Sequence, residues 1–383
     1  MDAKRADVVI VGGGPVGTAL ALALADAGVD ALLLESRARG ATVADPRPLA
    51  LAYGSRLILE HLGIWEALEP ATAILEVHVS HQGGFGRVAM TANQAGLPAL
   101  GYVVQYPRLQ SALTGALDER GVPALYRVKV TAIHADSGFA RVEYQEGGQP
   151  DAAAARMVIV ADGGALHEPA AKIIDYGQSA LVARVRSERP HRNVAYERFT
   201  PRGPLALLPC GEELALIWSM QADSACACCE EPPEAFLARL NREFGARLGA
   251  LTTTGARSFF PLALKFARAS APRTLNIGNA AQTLHPVAGQ GFNLGLRDAW
   301  ELAAEIRDAE PDALGSPAML QTCLNRRRID RRGGMAFTDA LVRIFSNDFP
   351  PLRAARGAGL ALLDALPPAK NFLLRRMTFG ARG

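Results

Sequence analysis

The chain has 383 residues, enough for one large or two interleaved domains that each bury a sizeable core. Lysine and arginine outnumber the acids by 41 to 38, a formal net charge of +3, which argues against a nucleic-acid partner. The five cysteines, Cys210, Cys226, Cys228, Cys229 and Cys323, form no regular disulfide framework, so a reducing cytoplasmic setting is expected.

Val8–Val11 predicts a buried strand that runs into Gly12-Gly13-Gly14-Pro15-Val16-Gly17. That apolar run is too short for a signal-peptide core, and no run further along reaches membrane-spanning length. Gly12 permits the tight turn, Gly14 lets the backbone approach a pyrophosphate, and Gly17 allows close helix–strand packing. The pyrophosphate would sit over free N–H groups at the helix N-terminus. The helix is expected over Pro15–Ala27 with Gly28 as a left-handed cap, followed by a second strand over Val29–Leu34. Glu35 then stands where a carboxylate accepts bonds from ribose hydroxyls. This is a dinucleotide-binding βαβ unit, and by itself it does not separate NAD from FAD.

A helix is predicted over Gly54–Leu62, and the alternation of Leu75, Val77 and Val79 predicts strands outside the nucleotide fold. Tyr106-Pro107-Arg108-Leu109 leads into a helix ending near Gly121. Strands follow through Val128–Val130, Ala140–Tyr144 and Val158–Ala161. Val130 and Asp162 are candidate cofactor contacts, Asp162 at a strand end of the kind where open α/β sheets bind ligands. Residues 176–268 hold strand-like runs at Ser179–Val185, Pro204–Leu208 and Leu214–Met220 and one helix, Pro233–Phe244, expected to form a sheet-based substrate domain. Cys226-Ala227-Cys228-Cys229 is too tightly spaced for zinc and has no histidine nearby, so an exposed turn and no metal are expected. The first cysteine falls at 210, which argues against a disulfide reductase.

A second glycine-rich segment, Gly278-Asn279-Ala280-Ala281-Gln282-Thr283-Leu284-His285-Pro286-Val287-Ala288-Gly289-Gln290-Gly291-Phe292-Asn293, precedes an amphipathic helix carrying Leu294, Leu296, Ala299, Trp300 and Leu302. Its backbone N–H groups would favour the anionic N1–C2=O edge of a reduced flavin, which a simple NAD dehydrogenase does not need. FAD is therefore the expected cofactor. The candidate contacts here are Asn279, Pro286, Gly289, Gly291, Phe292 and Asn293. No catalytic residue is assigned; His285, Pro286, Gly289 and Gln290 are the flavin-loop candidates, and His285 is held extended by Pro286 and shapes the loop with its backbone.

These residues carry a family resemblance. The Gly-rich unit, Asp45-Pro46-Arg47-Pro48-Leu49-Ala50-Leu51, Val158-Ile159-Val160-Ala161-Asp162-Gly163, the Gly-Asn-Ala-Ala-Gln-Thr-Leu-His-Pro run with its Ala-Gly-Gln-Gly-Phe-Asn continuation, and Thr338–Phe345 resemble the class A FAD-dependent aromatic hydroxylases. Within them the chain is most similar to the ubiquinone-biosynthesis branch, the 2-polyprenyl-6-methoxyphenol hydroxylase subfamily. It departs in having Asn279 where the wider family has an aspartate, and Gly164-Ala165-Leu166-His167 where a serine and an arginine are usual.

The resemblance implies an α/β, p-hydroxybenzoate hydroxylase-like fold, in which a Rossmann-type FAD-binding domain is interleaved with a β-sheet substrate domain and followed by a C-terminal helical segment. The FAD-binding parts fall at 1–72, 103–175 and 269–318, the substrate parts at 73–102 and 176–268, and the helical region at 319–383. Arg47 and Arg108 become candidate contacts to FAD phosphates. The activity implied is ring hydroxylation of a polyprenylated methoxyphenol through flavin C4a-hydroperoxide, with NADPH or NADH and O₂ as co-substrates. The same chemistry on a small soluble phenol, or a non-catalytic flavin-binding subunit of a quinone-biosynthesis complex, are the alternatives. No Trp-x-Trp-x-Ile-Pro segment supports halogenation.

Residues 351–383 carry six basic residues against Asp364, net +5, among leucines and Phe372. Such helices suit peripheral contact with the inner face of a membrane, or packing on the protein with a solvated basic face. The run Arg326–Arg332 is expected on a solvated helix face.

Overall fold

Alternate residues of the first strand serve two different cores. The structure, a computed structural model, describes residues 4–41, 45, 47–136, 138–164, 172–253, 255–266, 271–283, 289–345 and 350–380. Val8 and Ile10 of the strand Lys4–Val11 pack with Leu20, Leu24, Leu113 and Leu296, while Val9 and Val11 pack with Leu34, Val142 and Val158 on the other face. Burial on both faces explains why the strand is a continuous apolar run.

Among the described residues this first sheet has seven strands. Lys4–Val11 pairs in parallel with Ala31–Glu35 on one side and Gln149–Val160 on the other. Ala124–Tyr126 and Thr274–Asn276 add parallel edges, and Ala140–Glu146 with Val128–Ala135 extend the sheet antiparallel. The helix Pro15–Asp26 covers one face together with Tyr106–Glu119 and Gln290–Arg307.

The second sheet, of nine described strands, centres on Lys172–Ser187, which pairs antiparallel with Glu213–Gln221 and Ser258–Phe266. Gly203–Cys210 and Val194–Thr200 follow in order. Val194–Thr200 then pairs in parallel with Glu76–His81, whose hairpin partner is Arg87–Thr91. One face of this sheet is closed by the helices Ala222–Glu230 and Pro233–Phe244, through Trp218, Cys228, Phe236 and Leu240. The other face looks towards the nucleotide sheet. A small sheet of Pro48–Ala52, Gly101–Gln105 and Thr72–Ile74 bridges the two.

Three expectations are corrected. Cys226–Cys229 lie in the helix Ala222–Glu230 rather than a turn, with Cys228 fully buried; among the described residues no cluster of ligands for a metal is present. The arginine run lies on the helix Pro317–Phe345, yet Arg327 is buried and forms a bidentate pair with buried Asp298, with a further bond of 3.1 Å to the Asn276 carbonyl. That pair ties the long helix to Gln290–Arg307 and to the turn after Thr274–Asn276. In the C-terminal helices Pro350–Ala365 and Pro367–Phe379, Arg356 is buried and Lys370 donates to Asp364 at 2.8 Å, so part of the basic charge is turned inward.

Candidate functional site

The first glycine turn has the geometry a pyrophosphate requires. Gly12 sits at φ +108°, where a side chain would be strained, and a Cβ there would lie 2.6 Å from the Ala161 carbonyl oxygen. A Cβ on Gly17 would collide with the Gly12 carbonyl, so helix and strand approach closely at that point. Gly14, the N-cap of Pro15–Asp26, has nothing within 4 Å of where its Cβ would stand and is open to a ligand.

Glu35 closes the second strand, buried, and accepts from the Gly13 amide at 2.6 Å. Its other oxygen accepts from the Arg37 amide at 2.7 Å and the Arg37 Nε at 2.8 Å. Burial works to raise the Glu35 carboxyl, but the Arg37 and Gly13 bonds outweigh it and hold the group below the usual range. The Gly13 carbonyl accepts from Thr18 Oγ1, Arg37 and Gln110 Nε2, which fixes the turn from three directions.

Both glycine turns open on one cleft of about 920 Å³. Gly12, Gly14, Glu35, Arg47, Val130, Asp162 and Asn279 line it with Gly289, Gly291 and Phe292. Gly17 lies behind the wall in the helix–strand contact. Arg47 stacks over Phe260 at 5.2 Å and pairs with Asp45, and Asp162 accepts from the Gly164 amide at 2.8 Å. These residues fit FAD: an open glycine turn at a helix start for the pyrophosphate, a carboxylate at the second strand, and a second glycine turn across the same cleft. The volume is at the upper end of the roughly 300–1,000 Å³ of cofactor sites.

Other candidates are placed differently. Arg108 is exposed and donates to the Ala67 carbonyl at 3.2 Å, outside the cleft lining; Gln110, two residues on and therefore on the opposite, buried side of that helix, reaches the turn. The Asn293 side chain is fully committed to protein groups: Oδ1 accepts from Ala52 N at 2.8 Å and Ser55 Oγ at 2.7 Å, and Nδ2 donates to Ala50 O at 2.9 Å and Gly289 O at 2.8 Å. It positions the second glycine turn rather than offering a free donor. Gln290 reaches the Met377 carbonyl at 3.5 Å and lines a different cavity, described below. His285 and Pro286 lie outside the described residues.

Sequence reasoning missed Arg37 and Tyr106 in the cleft wall, Gln110 behind the first glycine turn, and on the substrate sheet Phe260 and Glu197. The only signal for Arg37 was its place two residues past Glu35, and for Glu197 a single acid on the apolar parity of its strand.

A second, apolar cavity of about 500 Å³ lies between the substrate sheet and the C-terminal helices. Val79, Val88, Met90, Phe199, Leu341, Leu360, Leu363 and Leu374 line it. It shares Ala50, Ile74, Val77 and Glu197 with the nucleotide cleft, so the two spaces meet there.

A family model described as "FAD binding domain" matches residues 5–321. The ubiquinone hydroxylase UbiL of Rhodospirillum rubrum is 35% identical over 97% of this chain and 89% of its own length. The 3-demethoxyubiquinol 3-hydroxylase of Escherichia coli is 31% identical over 98% of this chain and 99% of its own. Among solved structures, p-nitrophenol 4-monooxygenase PnpA from Pseudomonas putida superposes with a TM-score of 0.74 at 18% identity over the whole of both chains. PqsL of P. aeruginosa in complex with 2-aminobenzoylacetate gives 0.77 at 21% identity, covering 93% of this chain and 99% of that one.

Fold and site together define an FAD-dependent monooxygenase of the p-hydroxybenzoate hydroxylase-like architecture, with NAD(P)H and O₂ as co-substrates. The chain belongs to the FAD-binding class A hydroxylases, in their ubiquinone-biosynthesis branch.

Proposed function

We propose that the protein hydroxylates the aromatic ring of a polyprenylated methoxyphenol on the route to ubiquinone. The observation that carries this reading is the apolar cavity walled by the C-terminal helices, which meets the nucleotide cleft at Ala50, Ile74, Val77 and Glu197. A small phenol has no use for such a space. A prenyl tail does: each buried methylene is worth about 0.8 kcal/mol, and that energy holds the ring at the junction. FAD, when bound, supplies the activation of O₂. The protein's own part is to hold the ring, exclude water with the apolar walls, and offer the Gly289–Gly291 turn to the charged edge of the ring system.

The tail has to arrive from lipid. Leu362, Leu366 and Phe372 are exposed on the outer faces of the helices that wall the cavity, beside exposed Arg375, and this supports peripheral contact with an anionic membrane at that end. No described helix is long and apolar enough to cross a membrane.

The test is hydroxylation by the flavin-loaded protein of geranylated 2-methoxyphenol against unprenylated 2-methoxyphenol, with NAD(P)H and product identification by mass spectrometry. A kcat/KM at least a hundredfold higher for the prenylated compound is expected. Equal values would favour the small-phenol alternative, and absence of product from either would leave a flavin-binding subunit.

A further inference from the structure

We propose that Glu197 is a catalytic residue that accepts the proton of the substrate's ring hydroxyl, an inference that rests on the hydroxylase reading above. The strand Val194–Thr200 divides cleanly between two faces. Tyr196 packs edge-on against Phe244 at 5.6 Å, and Arg198 donates to the Glu243 carbonyl at 2.8 Å, both on the face covered by helices. Ala195, Glu197 and Phe199 form the opposite face. Ala195 lines the nucleotide cleft, Phe199 lines the apolar cavity, and Glu197, between them, lines both. Its neighbours across the sheet are Val79 and Ala206. It is the one carboxylate that the described residues of this sheet contribute to either wall.

Among the described residues the Glu197 carboxyl has no hydrogen-bond or ion-pair partner. A carboxyl in an apolar wall is unfavourable for folding, and a leucine would fit the strand's apolar face without that cost. Its position suggests that the partner it lacks is a ligand. The prenyl tail in the apolar cavity and the ring towards the flavin would put the polar edge of a methoxyphenol beside this residue.

Burial raises the Glu197 carboxyl to about 7. The charged and titratable groups that line the same two spaces are Arg356 in the cavity wall, and Arg47, Tyr106, Glu35, Arg37, Lys129 and Asp162 along the cleft. His78 and Arg198 lie on the far side of the sheet, where Arg247 bonds His78. None of these is bonded to Glu197 among the described residues. An acceptor near 7 is within roughly three units of a phenol's usual value of about 10, far closer than an ordinary carboxylate, and is poised at working pH.

The ring O–H breaks and its proton passes to Glu197 while the electron pair moves into the ring. The ring carbon ortho or para to that oxygen forms a bond to one atom of O₂ as the O–O bond breaks, and that atom takes a proton from solvent; the second atom leaves as water, with two electrons and one proton from NAD(P)H and one further proton from solvent. The hydroxylated carbon then loses its own proton to solvent as the ring regains aromaticity, and Glu197 returns its proton to the ring oxygen.

Glu197→Gln keeps the shape and removes the acceptor, and retained yellow flavin verifies its fold. With geranylated 2-methoxyphenol at neutral pH, product formation should fall by about 10²–10⁴-fold. The wild-type rate should decline below an ionisation near 7; the variant should lack that limb and recover only as the phenol itself ionises. With a fluorinated phenol already ionised at neutral pH, the deficit should shrink to less than tenfold. A variant with the wild-type rate and the same limb overturns the role of Glu197 and leaves the hydroxylase reading standing. A wild-type protein that makes no product from any phenol removes both. Should Glu197→Gln lose its flavin, Glu197→Asp decides: a reduced kcat with the acid limb kept supports the role, and an unchanged kcat overturns it.

Discussion

Replacing Asn293 by alanine tests whether the second glycine turn is held by one side chain. Asn293 is 1% exposed and makes four hydrogen bonds, two to the Pro48–Ala52 strand, one to Ser55 and one to Gly289. At a net ~1 kcal/mol each the loss is about 4 kcal/mol, and a water entering the vacated space recovers part of it, leaving about 2–4 kcal/mol. Since the turn faces the flavin cleft, the damage should concentrate there. The apoprotein should unfold at lower urea, and FAD affinity, followed by flavin fluorescence quenching, should weaken by at least tenfold. Asn293→Asp keeps both acceptor bonds but sets an oxygen against the Ala50 and Gly289 carbonyls, so it should be no better than alanine. Unchanged FAD affinity in Asn293→Ala, with stability within 0.5 kcal/mol of wild type on the ~1 kcal/mol-per-bond scale, would show that the turn is held by something else.

Arg327→Met leaves Asp298 buried without its guanidinium and should cost about 3–5 kcal/mol by chemical unfolding; adding Asp298→Leu should restore most of it. Gly17→Ala should lower flavin retention at least tenfold, measured as the absorbance ratio of purified protein, because its Cβ collides with the Gly12 carbonyl. The Glu35 carboxyl is held below its ordinary 4.5, so its contribution is fully present above that pH and is lost as pH falls through the lowered folded value. Glu35→Gln should therefore be less stable at neutral pH but show a flatter acid limb in a pH-dependent unfolding series. Leu363→Trp, in the wall of the apolar cavity, should raise KM for geranylated 2-methoxyphenol about tenfold and leave unprenylated 2-methoxyphenol unaffected.

Elements bounded by proline and glycine were legible in the sequence. Pro233–Phe244 is found with the bounds its pattern implies, and the helix from Pro15 ends at Asp26 with Ala27 as its cap. The chemistry of those residues acts locally, within one turn of the chain. What depended on distant partners was not legible. A run of arginines suggests a solvated face until Asp298, far back along the chain, is found opposite Arg327. Arg108 and Gln110 share one helix, and only the packing of that helix decides which of them reaches Gly13. Glu197 is an ordinary strand acid until its parity and the cavity behind it are known.

The parallel pairing of Glu76–His81 with Val194–Thr200 has a consequence for how the chain is made. A nascent polypeptide ending before residue 194 carries the Glu76–His81 and Arg87–Thr91 hairpin with Val77, Val79, Val88 and Met90 uncovered, waiting for Phe199 and for Leu360 and Leu374 of the C-terminal helices, not yet synthesised. Such late closure slows folding and leaves apolar surface open to aggregation. Cutting the gene between the two glycine turns should therefore give two insoluble fragments, and co-expressing them should rescue both.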